Sequence, residues 1–292
     1  MTEFGYEAAI LDVDGTIVRG DELIPGVPDG LRALEGAGCA RLLFSNNPTR
    51  GGAHYRERLA PYGIDVEPQN ALTSATVSAE FLARTHPDET VFLVGENRLQ
   101  RVLEDAGLEV TRDPDEAEVV LGSYDHRFSY DVLRDALGAL AGEVPFYGTD
   151  PDVTIPTDDG AIPGSGSILA AMEAVAGREP DAILGKPSSV AALAAMDRLG
   201  VRPNEGFALG ADRDRTRQRA VDGDDRDDRS LTPERVLVVG DRLNTDIALG
   251  ARAGMGTALV LSGITERDEV GAGEFEPDHV LESLADVGEL FE

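Results

Sequence analysis

The sequence predicts a protein of the α/β class, with a parallel sheet covered by helices on both faces and a second, inserted α/β domain. Short, continuous apolar runs recur along the 292 residues, which is typical of strands buried on both faces of a sheet. Segments with helical periodicity lie between these runs, as in alternating βα units. The middle of the chain has strands and helices of its own, which predicts the inserted domain.

The core elements come from both ends of the chain. Core strands are predicted at 8–11, 42–44, 183–184, 236–239 and 258–261, and core helices at 30–37 and 189–199. In the inserted domain, strands are predicted at 91–94, 119–121 and 145–147, and helices at 97–106, 130–141 and 167–176. We therefore expect a discontinuous core of residues 1–80 and 183–292 and an inserted domain of residues 81–182.

Residues 212–229 interrupt this alternation because 13 of the 18 are charged, 7 Asp and 6 Arg. A stretch with so many charges and no apolar periodicity is typical of a solvated loop. We expect an acidic and arginine-rich loop over residues 205–233, inserted within the core.

The charge balance excludes several classes of function. The chain has 55 Asp and Glu against 26 Lys and Arg, a formal net charge of −29. Nucleic acids and anionic membranes attract basic proteins, so neither is an expected partner. No apolar stretch approaches the roughly 20 residues that span a bilayer, and the single cysteine allows no internal disulfide. We expect a cytoplasmic protein without a targeting segment.

Two aspartates, Asp12 and Asp14, directly follow the first predicted strand. At a strand end, side chains with this spacing can face one cavity, and Gly15 allows a sharp turn beside a ligand. A calcium loop would need glycine at its sixth position and Glu at its twelfth, but here the glycine is fourth and Leu23 is twelfth. The pattern favours a ligand-facing carboxylate pair, with simple turn formation as the alternative.

Three more strand ends carry polar residues. Ser45 and Asn46 follow the second core strand and could cradle a phosphate or cap a helix. Lys186 is the single lysine among 26 basic residues and follows the next core strand, where a compact ammonium could bind phosphate. Asp241 and Asp246 follow the fourth strand. Two carboxylates there suit a hard cation, best Mg²⁺, although Asp246 could also cap a helix.

The order of these motifs resembles that of the haloacid dehalogenase-like (HAD) superfamily, and more narrowly its NagD-like, 4-nitrophenylphosphatase-type branch (subfamily IIA). The resemblance is carried by Asp12-Val13-Asp14-Gly15-Thr16, Ser45-Asn46-Asn47-Pro48, Gly185-Lys186-Pro187-Ser188 and Gly240-Asp241-Arg242-Leu243-Asn244-Thr245-Asp246-Ile247. It runs almost end to end and implies a Rossmann-like core with a C2-type cap inserted after the second motif. It also implies a Mg²⁺-dependent phosphatase acting on small phosphomonoesters.

The resemblance implies a role for each motif. Asp12 would be the nucleophile that forms an aspartyl-phosphate, and Asp14 would act as acid and then as base. Mg²⁺ would be held by Asp12, by Asp14 through its backbone carbonyl, by Asp241 and, through water, by Asp246. The phosphoryl group would be bound by Gly15, Thr16, Ser45, Asn46 and Lys186.

The sequence departs from the family pattern in the loop 149–152. Many relatives have Thr-Asn-Pro-Asp there, whereas this chain has Thr149-Asp150-Pro151-Asp152. Thr149, Asp150 and Asp152 are candidates for substrate contact. A carboxylate at position 150 near an anionic ligand puts that role in doubt because like charges repel.

The implied partner is a small phosphorylated metabolite, such as a sugar phosphate or a nucleotide monophosphate. Because relatives often pair through their caps, a homodimer is also an expectation. Two alternatives stay open: a phosphomutase or other phosphotransferase, and a non-catalytic phosphometabolite-binding protein on the same fold. The cap loops that choose the leaving group carry no readable pattern, so the sequence does not identify the physiological substrate.

The acidic surplus and the near absence of lysine resemble the composition of proteins from salt-accumulating microbes. At molar salt the Debye length falls to about 3 Å, which suppresses repulsion between surface carboxylates. We predict that molar KCl raises the midpoint of thermal unfolding, followed by circular dichroism, relative to dilute buffer. Equal midpoints in the two solutions would contradict a halophilic origin.

Overall fold

The computed structural model describes residues 5–157, 160–204, 207 and 231–291. By their contacts these residues form two compact units. The first unit contains the described parts of Met1–Ser45, Tyr55–Leu72 and Ala191–Glu292, and the second contains those of Asn46–His54 and Thr73–Val190. Within the described ranges, every helix is too short or too polar to span a bilayer.

The strands and helices alternate along most of the chain. The strands of the described residues are β1 (Ala8–Leu11), β2 (Val18–Arg19), β3 (Glu22–Leu23), β4 (Ala40–Ser45), β5 (Ala71–Thr73), β6 (Val91–Val94), β7 (Val110–Thr111), β8 (Val119–Gly122), β9 (Phe146–Gly148), β10 (Thr154–Thr157), β11 (Gly160–Pro163), β12 (Ala182–Ile183), β13 (Val236–Gly240), β14 (Gly256–Val260) and β15 (His279–Leu281). The α-helices are α1 (Val27–Gly36), α2 (Gly52–Leu59), α3 (Ser74–Thr85), α4 (Asn97–Asp105), α5 (Tyr130–Ala139), α6 (Ser165–Ala176), α7 (Ser189–Leu199) and α8 (Ala248–Ala253).

The first unit is built on a six-stranded sheet with the spatial order β15-β14-β13-β1-β4-β5. The pairs from β15 through β4 are parallel. Every residue of β1 and β13 is buried, as expected for central strands of a covered sheet. Helix α1 has proline in its first turn and packs its apolar face against a 3₁₀ segment, Leu284–Phe291. The two central strands thus lie side by side and point the same way.

The second unit has a five-stranded parallel sheet with the spatial order β12-β9-β8-β6-β7. Its core includes Phe92 from β6, Val120 from β8 and Phe146 from β9, which pack with Leu169 and Met172 of α6. An antiparallel hairpin, formed by β10 and β11, follows β9 in the chain. The predicted α/β class with parallel sheets is confirmed.

One predicted core strand was placed wrongly. The run predicted at 183–184 becomes the two-residue strand β12, which pairs with β9 in the second sheet and does not join the first. Short apolar runs look alike whichever sheet they join, so the pattern could not distinguish the two sheets. The domain boundaries at 80/81 and 182/183 stay predictions. The charged loop predicted over 205–233 lies outside the described residues, apart from 207 and 231–233.

Candidate active site

Two of the predicted aspartates lie side by side because their strands are neighbours. Asp12 follows β1 and Asp241 follows β13, and in the parallel pairing Leu11 stands opposite Val239. The backbone N–H of Asp12 donates to the carbonyl of Val239 at 2.9 Å, which extends the pairing by one residue. Both carboxylates therefore leave the sheet at the same edge, where ligands bind in open α/β sheets.

A third carboxylate, from Asp246, completes the group. It comes from a π-helical turn, Leu243–Ile247, and its Oδ2 accepts the backbone N–H of Arg242 at 3.2 Å. One carboxylate oxygen from each of Asp12, Asp241 and Asp246 lies within 4.8 Å of the other two. We call these three residues the acidic cluster. Their exposed fractions are 8%, 1% and 1%, so water screens their mutual repulsion poorly.

The donor set of the acidic cluster fits Mg²⁺. Three carboxylates supply only oxygen ligands, which hard cations prefer, and Mg²⁺ is usually held by few carboxylates together with water. A divalent cation would also offset the repulsion among the three buried charges. The acidic cluster is therefore a candidate centre for a divalent metal ion.

Glycines leave the room that the acidic cluster needs. A Cβ atom added at Gly15 or Gly263 would overlap the Asp241 carboxylate, and one at Gly240 would overlap that of Asp246. Gly15 also has a φ of +96°, which L side chains rarely adopt. The backbone N–H of Ile264, the residue after Gly263, donates to Asp241 Oδ2 at 2.7 Å. Side chains at these positions would displace the carboxylates.

Gly15 and Thr16 are engaged in the local turn. The N–H of Gly15 donates to the carbonyl of Val18 at 2.7 Å, and its own carbonyl accepts the Ser262 hydroxyl at 2.7 Å. Thr16 is fully buried, and among the described residues its hydroxyl has no hydrogen-bond partner. Phosphate binding by either residue stays a prediction.

Asp14 does not join the acidic cluster with its carboxylate. Its side chain is 50% exposed, and its Oδ1 accepts a hydrogen bond from Arg58 Nη1 at 3.0 Å. Sequence reasoning missed Arg58 and also Tyr55, which is buried next to Ser45. Burial and the nearby Asp14 carboxylate raise the pKa of Tyr55, so this phenol stays protonated. The spacing of three residues, on the first helix after the Ser-Asn-Asn string, was the signal that could have found both.

Lys186 is held through its backbone by Asn46 in the second unit. The Asn46 side chain accepts the Lys186 N–H at 2.8 Å and donates to the Lys186 carbonyl at 3.0 Å. The Ser74 hydroxyl in turn donates to the Asn46 carbonyl at 2.8 Å. A Cβ atom at Gly185 would lie 2.8 Å from the Asn46 side-chain oxygen, so glycine permits this approach. The structure thus uses the predicted phosphate-binding amide to fix the lysine, which is 2% exposed.

The loop 149–152 is tied into the second unit. Asp150 is 2% exposed, and its Oδ2 accepts the Ser165 hydroxyl at 2.7 Å and lies 2.9 Å from Thr149 Oγ1. Thr149 Oγ1 also lies 2.9 Å from Ser123 Oγ, and the N–H of Asp152 reaches Asp150 Oδ1 at 3.3 Å. The Asp150 carboxyl therefore fills an internal hydrogen-bonded network. Substrate contact by Thr149, Asp150 and Asp152 stays a prediction.

A second group of possible metal ligands, Glu96, Asp125 and His126, has its charges already matched. Asp125 is paired with Arg112 at 3.8 Å and with Arg127 at 3.3 Å, and Glu96 is paired with His126. Two guanidinium groups beside the buried carboxylate leave little attraction for a cation. Unlike the acidic cluster, this group is not a candidate metal centre.

Comparison with known proteins gives matches along nearly the whole chain. The haloacid dehalogenase-like hydrolase family matches residues 9–109, and a HAD-hydrolase-like family matches residues 183–287. The dihydroxyacetone phosphatase of Corynebacterium glutamicum (strain R) is 30% identical over 283 residues, covering 97% of this chain and 91% of that protein. The p-nitrophenyl phosphatase from Archaeoglobus fulgidus is 33% identical with a TM-score of 0.82, covering 97% of this chain and 98% of that one. NagD from E. coli K-12 is 27% identical with a TM-score of 0.77, covering 98% of both chains.

The buried Asp150 carboxyl makes stability depend on pH. Burial, and next the neighbouring Asp152 carboxylate, raise its pKa from 3.8 to about 7. Since the folded state disfavours the charged form, the free energy of unfolding should fall as pH rises from about 4 to about 7, by about 4 kcal/mol at most. We predict that Asp150→Asn removes this decline, so that the variant unfolds at higher denaturant than the parent at pH 8 but not at pH 4.

The control for this prediction is Asp88→Asn, which changes an exposed aspartate in the same unit. Denaturant unfolding of the full chain at a series of pH values gives the comparison. Parallel pH profiles for the parent and Asp150→Asn would show that the buried carboxyl does not carry the pH dependence.

Proposed function

The chain belongs to the haloacid dehalogenase-like hydrolases, among the NagD-like phosphoric monoester hydrolases, and we propose that it hydrolyses small phosphomonoesters with Mg²⁺ through an aspartyl-phosphate on Asp12. The observation that carries the proposal is the acidic cluster, in which a nucleophile candidate lies among carboxylates whose oxygen atoms suit a hard divalent cation. The names of the two relatives, dihydroxyacetone phosphatase and p-nitrophenyl phosphatase, support small esters as substrates. Sugar phosphates and nucleotide monophosphates are the substrate classes we propose.

The reaction has two steps. In the first, an Asp12 oxygen attacks phosphorus, the bond from phosphorus to the leaving oxygen breaks, and the Asp14 carboxyl gives its proton to that oxygen. In the second, Asp14 takes a proton from water while the water oxygen attacks phosphorus, and the bond to Asp12 breaks to release inorganic phosphate. The exposed position of the Asp14 side chain suits exchange of a proton with both the leaving group and water.

Electrostatics decides whether the first step can occur. A carboxylate nucleophile and a phosphate dianion repel each other, and three acidic residues in one place add to the repulsion. Mg²⁺, held by the acidic cluster and by the backbone carbonyl of Asp14, would supply the positive charge that offsets it. Asp12 contributes a fixed direction of attack because its backbone continues the pairing of β1 with β13.

Lys186 is the second source of positive charge in the proposal. The compact ammonium of lysine binds phosphate as a point charge, and Lys186 is 2% exposed. Both polar atoms of the Asn46 amide hold the lysine backbone, so the reach of the ammonium is determined by its own four-carbon stem. We assign the phosphoryl group to Lys186 and Ser45, with Asn46 fixing the lysine.

Release of inorganic phosphate tests the function directly. We predict phosphate release from a panel of small phosphomonoesters in the presence of Mg²⁺ and molar KCl. Asp12→Asn should lower turnover by at least about a thousandfold, while the thermal unfolding midpoint should be no lower than that of the parent because one of the three repelling charges is removed. The control is Asp65→Asn, an exposed aspartate of the first unit, which should turn over normally.

The outcome also separates the alternatives. Transfer of phosphate to an acceptor without its release would identify a phosphotransferase or mutase. Binding of phosphate esters without turnover would identify a non-catalytic binding protein. Activity of Asp12→Asn near that of the parent would rule out Asp12 as the nucleophile.

The lysine prediction concerns shape as well as charge. Arg in place of Lys186 keeps the positive charge, but its planar fork cannot occupy the place of a compact ammonium. We predict that Lys186→Arg lowers kcat by about a hundredfold in the same assay. Arg101→Lys, at an exposed position, is the control in the reverse direction. Normal turnover of Lys186→Arg would mean that charge alone suffices.

A further inference from the structure

The guanidinium of Arg58 joins two parts of the segment that follows β1. Its Nη1 donates to Asp14 Oδ1 at 3.0 Å, and its Nη2 donates to the backbone carbonyl of Gly20 at 2.5 Å. Asp14 lies just after β1, and Gly20 lies in the turn between β2 and β3. One side chain from α2 therefore fixes both the carboxyl group and the hairpin next to it.

Tyr62, which lies three residues beyond the end of α2, also holds the hairpin turn. Its hydroxyl donates to the backbone carbonyl of Asp21, beside the Gly20 carbonyl that Arg58 holds. The hairpin turn is thus fastened at two consecutive carbonyls by side chains four residues apart. Because the hairpin is only two residues long on each side, these contacts determine where its turn lies.

Asp14 needs such a support because little else in the described residues restrains it. Half of its side chain is exposed, whereas the Arg58 side chain is 21% exposed and so is the better fixed of the two. A guanidinium presents its N–H groups in a rigid plane, so binding Gly20 with one nitrogen determines the direction in which the other meets Asp14. Lysine offers a single nitrogen and cannot keep this relation.

We propose that Arg58 is a positioning residue for Asp14. The hydrogen bond from Arg58 directs the Asp14 carboxyl group toward the leaving oxygen of the substrate. This inference rests on the proposed function, because it assumes that Asp14 is the acid of the first step. Proton donation matters most when the leaving group is a poor one. The glycerol leaving group would depart as an unstable alkoxide without a proton, so it needs proton donation far more than the 4-nitrophenolate leaving group does.

The dependence on the leaving group distinguishes positioning from a general structural role. We expect Arg58→Gln to lower kcat for glycerol phosphate by about tenfold and to change kcat for 4-nitrophenyl phosphate by less than about twofold. KM should stay within about twofold for both esters, because ground-state binding is not altered. Arg58→Lys should fall between the parent and Arg58→Gln. Arg56→Gln, an exposed arginine of the same helix, should match the parent.

Asp14→Asn, measured with the same two esters, separates the failure of this inference from that of the proposed function. Selective loss of alkyl ester hydrolysis in both Asp14→Asn and Arg58→Gln supports the inference. Selective loss in Asp14→Asn alone, or equal loss of both activities in Arg58→Gln or Arg58→Lys, overturns the positioning role and leaves the proposed function in place. Absence of selectivity in Asp14→Asn overturns Asp14 as the acid and the Arg58 inference with it, whereas hydrolysis itself is judged by Asp12→Asn.

Discussion

Repulsion among three buried carboxylates is the constraint on which the rest of the first unit depends. Asp12, Asp241 and Asp246 have oxygens within 4.8 Å of one another at the edge of a covered sheet, where water gives little screening. Backbone N–H groups offset part of this charge, from Ile264 to Asp241 and from Arg242 to Asp246. The backbone can approach these carboxylates so closely only because the positions around the cluster are occupied by glycines, which have no side chain. In the proposed reaction, a divalent cation would offset the charge of these carboxylates.

The positions of Asp12 and Asp241 at strand ends could be predicted from sequence, whereas the grouping of these two residues with Asp246 was implied only by the family resemblance. An apolar run followed at once by an aspartate places that residue at a strand end, and parallel strands bring such ends to one edge. The strand before Lys186 could not be placed this way, since two residues of β12 carry no mark of the sheet they join. The pairing of Asp14 with Arg58 was also out of reach. It depends on the directions of two flexible side chains, which no spacing rule determines.

Asn46, which the sequence predicts as a phosphate ligand, also has a structural partner within the chain. An amide at a strand end can bind an anion or a backbone segment equally well, because it carries both a donor and an acceptor. In the structure both atoms bind the backbone of Lys186, 140 positions further along the chain. The single lysine of the sequence is therefore fixed at its backbone, and only the length and shape of its side chain remain to determine where the charge lies. The position of the positive charge therefore depends on the length and shape of the lysine side chain, which arginine does not share.

Asp150 shows how burial can change the chemical character of a substituted residue. As a carboxylate beside an anionic ligand, Asp150 would be unfavourable because like charges repel. Inside the second unit its pKa is raised to about 7, so below that pH the group is a neutral acid. A neutral carboxyl has an O–H donor and a carbonyl acceptor, as an amide has N–H donors and a carbonyl acceptor. The hydroxyls of Thr149 and Ser165 and the N–H of Asp152 can then surround it much as they would an asparagine. A neutral carboxyl can therefore make the hydrogen bonds that an asparagine would make at this position, and it adds a sensitivity to pH that asparagine does not have.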